Sequence, residues 1–211
     1  MGSKERRERE RDATRSRILD AARELFALHG YEGVSMRAIA EKIEYSPTVI
    51  YQHFRDKDTL IKELCYADFG DLAEALQNTL QIPDPIERLR ECGRQYARFA
   101  IAHPNHYRLM FMTPIPVQST KEEIEQVQGK PESDAYALLL HLVQQVAAEG
   151  LFRDPNPDPQ LIAQTLWAGL HGLVALEITM KCDEWTPWRS FDSRLNTMLD
   201  TMGRGLFKEV N

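Results

Sequence analysis

The chain has little of what covalent cross-linking or catalysis would need. Cysteine occurs three times in 211 residues, as Cys65, Cys92 and Cys182, widely spaced and without a CxxC pair. Such scattered, odd-numbered cysteines exclude a disulfide framework and read as reduced thiols in a cytosolic protein. HExxH, GxSxG and a glycine-rich phosphate loop are all absent, and the pair His103-x-x-His106 stands without any such motif. Neither metal, cofactor nor catalysis is therefore expected. A surplus of positive charge is missing too. With 26 Lys+Arg against 32 Asp+Glu the formal charge is -6, an average that argues against a polyanionic partner. That average conceals an asymmetry: residues 1–60 hold 12 basic and 11 acidic side chains, and residues 61–211 hold 14 and 21. The two parts are expected to meet different partners.

A secretory leader is not expected, because the opening MGSKERRERERD carries charge where a leader needs an apolar core. The one stretch near the length of a membrane span, Leu161 to Met180, is interrupted by Gln164, His171 and Glu177 and reads as a buried helix, so no membrane partner is expected. Alternating patterns bounded by hairpin turns are also lacking, whereas apolar residues recur at the helical period almost throughout. The fold class expected is all-α.

What is present is a series of helix signals. Ile18, Ala22, Leu25, Phe26 and His29 mark a first helix from Ala13, ended by Gly30. Ser35 is an N-cap for a helix with Met36, Ile39, Ala40 and Ile43 on one face. Ser46 caps a third helix with Pro47 at its first position, running to Phe54, and Asp56 caps a fourth that passes Leu60 and Leu76. Further helices are expected from Asp84-Pro85 to Ala102, through Phe111 after the break at His103-Pro104, from Pro131 to Glu149, over 160–180 and over about 190–208. Residues 113–129 read as a loop with at most one or two helical turns.

Two short helices separated by Glu44–Ser46, behind a longer one that braces them, have the dimensions of a helix-turn-helix. At about 100° per residue, Ile50 and Phe54 point together into a core. Thr48 and Gln52 then lie opposite, with Val49 and Tyr51 on the flanks. That outward face suits a major groove: Gln bonds adenine or other base edges, Thr bonds several bases, and Val rests on a thymine methyl. Arg37, Tyr51, His53 and Lys57 are placed to hold phosphates on either side. The alternative is a three-helix subdomain with a merely solvated face, in an all-α ligand-binding protein or enzyme that does not bind DNA.

Ala38-Ile39-Ala40, Ser46, Ile50-Tyr51-Gln52-His53-Phe54 and Asp56-Lys57-Asp58-x-Leu60 together resemble the N-terminal signature of TetR/AcrR-type bacterial transcriptional regulators. Trp167-Ala-Gly-Leu-His171-Gly172, with His103-Pro104-x-x-Tyr107-Arg108-Leu109-Met110-Phe111, is similar to the Trp-His-Gly (WHG) subgroup in its C-terminal domain. Residues 1–12 read as a charged arm, and the resemblance implies a helix-turn-helix DNA-binding domain over 13–60 and a helical effector-binding and dimerisation domain over 61–211. It implies base or phosphate contacts from Ser35, Arg37, Ser46, Thr48, Val49, Tyr51, Gln52 and His53, with Lys57 reaching a phosphate. The expected partners are double-stranded operator DNA, a small-molecule effector and a second copy of the chain.

One departure from the family pattern matters. Glu44 stands where the turn usually has glycine, beside Tyr45 in place of a small aliphatic residue. A side chain at φ > 0 costs about 1–2 kcal/mol, so a slightly strained turn is expected. In the C-terminal part, Tyr96, Phe99, Phe111, Tyr136, Trp167 and His171 are the candidates to line an effector cavity, for a mainly apolar effector. Thr165, Ala168, Gly172, Ala175 and Thr179 form a small-residue stripe that permits close helix approach. With Leu195, Met198, Leu199, Met202 and Leu206 of the last helix it suggests a four-helix dimer interface. The arm Lys4–Arg17, with seven basic and four acidic residues, reads either as a frayed, solvated extension of the first helix or as a segment that touches DNA.

Overall fold

The computed structural model describes residues 3–181 and 184–208. Among them ten α-helices follow one another: α1 (Ser3–His29), α2 (Met36–Lys42), α3 (Pro47–His53), α4 (Lys57–Gln77), α5 (Pro85–Ala102), α6 (Pro104–Phe111), α7 (Lys121–Val127), α8 (Ala135–Ala148), α9 (Pro159–Met180) and α10 (Phe191–Leu206). The all-α expectation describes the chain. Its one strand-like feature among the described residues is an isolated antiparallel bridge between Phe152 and Phe207, whose rings stack 5.6 Å apart. Cys65 and Cys92 are unpaired, and burial, assisted by Asp68 and Glu91 respectively, pushes both thiols up to about 12, so neither is a ready nucleophile. Cys182 lies outside the described residues.

Capping chemistry sets most helix starts. The Ser35 hydroxyl accepts the Ala38 N–H at 3.1 Å, Asp56 accepts the Thr59 N–H at 2.8 Å, and Asp84 accepts the Glu87 N–H at 2.7 Å. Asp56 also takes the Thr59 hydroxyl, and these bonds, with Arg55, lower its pKa to about 2. Two expectations need correction. Ser46 occupies the N-cap of α3, but its side chain makes no capping bond. α8 begins after Asp134, which accepts the N–H groups of Tyr136 and Ala137, rather than at Pro131. The charged arm continues α1 as an exposed extension of its first turns, built from good helix formers and carrying an Arg6–Glu10 pair at i,i+4.

Glu44 adopts the left-handed conformation that its place in the turn demands, with φ 61°. Relieving that strain should show as stability. Glu44→Gly is expected to raise unfolding free energy by about 1 kcal/mol, the strain of about 1–2 kcal/mol less the extra chain entropy of glycine. A urea midpoint that does not rise would mean the turn is unstrained.

The chain forms two compact units, Met1–Asp68 with Asn105–Ile124, and Phe69–Pro104 with Glu125–Asn211. This differs from a single boundary near residue 60. The reason is packing: Leu109 is fully buried in the same core as Ile18, Ala22, Phe26, Ile39, Ile50, Phe54 and Leu60, and Ile115 and Val117 lie against it. That first unit also buries an ion pair. Arg23 places Nε at 3.0 Å and Nη2 at 2.7 Å from Oδ1 of Asp68, a carboxylate with no exposed surface. Burial opposes the Arg23 charge, but bonds and charge from Asp68 and Asp20 outweigh it and hold its pKa above the ordinary value. In the second unit α9 packs on α5, α8 and α10 through Ala163, Leu170, Leu173 and Val174.

Candidate functional site

α3 is anchored by two side chains. Ile50 and Phe54 have 0% and 1% exposure, and this fixes which way the remaining side chains of a seven-residue helix face. Thr48, Tyr51 and Gln52 are exposed and Val49 is half-buried, so the small, polar, uncharged face read from the sequence is the face presented to solvent. Ser46, at the start of the same helix, is exposed. On α2, Ser35 is committed to its cap and Arg37 is exposed.

His53 is half-buried, and its Nδ1 is shielded from water with no hydrogen-bond partner among the described residues. Its own burial, then the charges of Arg11 and Arg15, lower its pKa, which favours a neutral ring. Lys57 has a task the resemblance does not give it. Its ammonium donates to the carbonyls of Tyr31 at 3.0 Å and Val34 at 3.1 Å and lies 4.0 Å from the Tyr31 ring centre, which ties the α1–α2 loop to the start of α4. The Tyr31 hydroxyl in turn bonds Asp58. Burial, then this bond, pushes the Tyr31 hydroxyl up to about 12.

Tyr45 explains the other departure in the turn. The Arg17 guanidinium sits 5.3 Å from its ring centre and donates to its hydroxyl at 3.3 Å, so an aromatic residue there braces α1 against the turn. Arg15 makes the parallel contact at the far end of α3, 5.2 Å from the Phe54 ring and paired with Glu63. Neither contact is legible from spacing, because the partners are far apart in the chain.

Of the effector candidates, the structure joins three. The Trp167 Nε1–H donates to the Tyr96 hydroxyl at 3.1 Å, and the Tyr136 ring lies 6.0 Å from that of Trp167. The Tyr136 hydroxyl donates to Gln160 at 2.6 Å, which ties the start of α8 to the first turn of α9. His171 is half-buried one turn beyond Trp167, and burial lowers its pKa. Phe99 is buried, with the His103 ring 4.9 Å away. Phe111 packs on Tyr107 at 5.0 Å and falls in the first compact unit, with Leu109.

The dimer-interface candidates divide in the same way. Ala168, Gly172 and Thr179 are exposed on α9 and Ala175 is half-buried. Leu195 and Leu199 are buried within the chain, against expectation, because their side of α10 turns onto α5 and α9; a Cβ on Gly93 would lie 3.1 Å from Leu199. Met202 points the same way, toward Gly169, with Met198 beside it; Met198, Met202 and Leu206 are half-buried. α9 itself is not the buried helix expected. It is long and apolar enough to cross a membrane, yet only 22% of its most apolar stretch is buried inside the chain. Leu161 is 62% exposed and Leu176 is 42% exposed.

Residues 18–64 match the family described as bacterial regulatory proteins, tetR family, and residues 89–202 match the tetracyclin repressor-like C-terminal domain. Over 59 residues the chain is 42% identical to the HTH-type transcriptional regulator UidR of Escherichia coli (strain K12), covering 28% of this chain and 30% of that regulator's length. The HTH-type transcriptional repressor NicS of Pseudomonas putida is 26% identical over 155 residues, 70% of each chain. A TetR family transcription regulator from Marinobacter aquaeolei VT8 has the same fold, with TM-score 0.75 at 24% identity over 96% of this chain and 100% of that one.

Proposed function

Because the chain belongs to the tetR family of bacterial regulatory proteins, we propose that it is a ligand-responsive transcriptional repressor acting in the cytoplasm on a palindromic operator. The observation that carries this reading is the geometry of α3, whose two buried anchors leave Thr48, Tyr51 and Gln52 standing out as a small polar face. Gln52 and Thr48 read base edges, Val49 offers an apolar contact to a thymine methyl, and Arg37, Tyr51 and His53 hold phosphates that fix the register. Lys57 contributes by holding the α1–α2 loop in place, and a phosphate takes what donor capacity its two carbonyls leave.

A second copy covers α9. Exposed Leu161, Trp167, Leu176 and Met180, interleaved with Ala168 and Gly172, form a surface unlike that of a monomer. Small residues let the partner helix approach closely. Two-fold pairing of chains matches a two-fold operator. The effector is small and mainly apolar, met by the group around Tyr96, Tyr136, Trp167 and His171. A ligand that prefers a conformation with wrongly spaced α3 helices lowers DNA affinity by the same factor by which DNA lowers its own.

Selection from a random-sequence duplex pool tests the reading. The full chain is expected to enrich a palindrome with half-site centres about one helical turn, or a multiple of it, apart. Enrichment of no sequence would leave only the alternative of a helical ligand-binding protein.

A further inference from the structure

The first turns of α1 carry a charge pattern that the helix-turn-helix core does not use. Lys4, Arg7, Arg11 and Arg15 follow one another at spacings of three, four and four residues, which keeps them on one face of a continuous helix. Farther along, that face becomes Ile18, Ala22 and Phe26, all with 0% exposure. The stripe is therefore the core-facing side of α1 prolonged past the end of the core, with cations in place of apolar residues.

Acidic residues border it rather than sit within it: Glu8 stands four residues from Lys4 and three from Arg11, and Asp12 stands three from Arg15. Glu5, Glu8 and Asp12 share the neighbouring flank, and Glu10 pairs with Arg6 on the far side. Among the described residues Arg7 and Arg11 have no ion-pair partner, and both are exposed. Arg15, the last cation of the row, fixes its position: it lies on Phe54, the residue that closes α3, and pairs with Glu63. Each four-residue step back from Arg15 moves about 6 Å along the helix axis, so Arg11 and Arg7 extend outward from the end of α3. The influence of Arg11 on His53 agrees with that placement.

We propose that the Arg7–Arg11 face of α1 binds the phosphate backbone flanking the half-site read by α3, lengthening the footprint on DNA without adding base specificity. The proposal rests on the reading of α3 as the helix that enters DNA. Charge complementarity selects the occupant. Duplex DNA carries one negative charge per about 1.7 Å of its axis, and a row of unpaired guanidiniums beside the reading helix is matched to it. In a chain whose remaining 151 residues are net acidic, such a row is also what brings the correct end of the molecule to a polyanion.

The test uses the full chain and the duplex it selects from a random-sequence pool, in a long form and in a form trimmed to the base-contacted core. For the double variant Arg7→Gln/Arg11→Gln, affinity for the long duplex should fall on the order of tenfold at about 0.1 M salt. The slope of log K against log salt should flatten by about 0.9 for each phosphate no longer neutralised. The selected sequence should not change, and on the trimmed duplex the variant and the parent should bind alike. Arg7→Lys/Arg11→Lys should retain the slope, and Arg6→Gln/Arg9→Gln, on the other side of the helix, should leave affinity unchanged. Parental affinity and slope for Arg7→Gln/Arg11→Gln on the long duplex, or an equal loss from Arg6→Gln/Arg9→Gln, would overturn the proposal while leaving α3 as the reader. A parent chain that enriches no sequence would overturn both.

Discussion

Asp68→Ala is expected to destabilise the N-terminal unit by about 3–5 kcal/mol, a large share of the roughly 5–15 kcal/mol that holds a typical domain folded. The carboxylate has no solvent exposure and takes two donors from Arg23, whose side chain is only 10% exposed. Removing it strands a guanidinium in a low-dielectric interior with only Asp20 left to bond it at 2.7 Å. His106, whose Nε2 is 3.9 Å from Asp68, is deprived of a neighbour at the same time. A double replacement separates the effect of a stranded charge from that of missing packing. Arg23→Leu/Asp68→Leu removes both charges and should recover most of the stability, since an apolar pair of similar volume can replace a buried ion pair at little cost. Urea unfolding followed by circular dichroism gives the numbers. A loss below about 1 kcal/mol for Asp68→Ala would show that the pair is solvated and that α1 and α4 are held together by apolar packing alone.

Gly172→Trp should turn the protein into a well-folded monomer that binds its operator on the order of a hundredfold or more weakly, because linked half-sites contribute avidity of that size. The structure makes this substitution clean. A Cβ on Gly172 meets nothing within 4 Å, and the residue is exposed, so one chain alone accommodates the indole. Gly169, three residues earlier, is the contrast: its Cβ would lie 2.1 Å from the Met202 methyl, and a large residue there breaks the packing of α9 on α10. Light scattering, melting temperature and operator affinity together read the outcome. A dimer with parental affinity would place the partner elsewhere than on the small-residue stripe.

Much of this is legible in the sequence because local chemistry decides it. Proline at the first turn, Asp or Ser before it and apolar residues at i, i+3 and i+4 locate α3, α5 and α9 to within a residue or two. The strained Glu44 is visible from the turn it occupies. Interactions between distant residues are not. Nothing in the pattern of α10 distinguishes a leucine stripe that meets a partner from one that meets α5 and α9, so the pattern alone puts Leu195 and Leu199 at an interface, whereas within one chain both are already buried. Phe111 shares its aromatic character with Trp167, which is all that a sequence shows of it, whereas its chain segment packs with Leu109 in the first unit. The resemblance assigns Lys57 a phosphate, whereas its clamp on the Tyr31 and Val34 carbonyls is something that only three dimensions display.

The central claim is that α3 reads bases, and the most direct measurement is the affinity of Gln52→Ala for the selected duplex and for a set with each half-site base pair changed in turn. Gln52 is exposed and supports no part of the core, so the variant should keep its melting temperature. The account expects a loss of about 1–3 kcal/mol on the selected duplex, with discrimination relaxed at one base pair per half-site and retained at the others. A variant that binds every duplex in the set as the parent does would show that the outward face of α3 does not meet DNA.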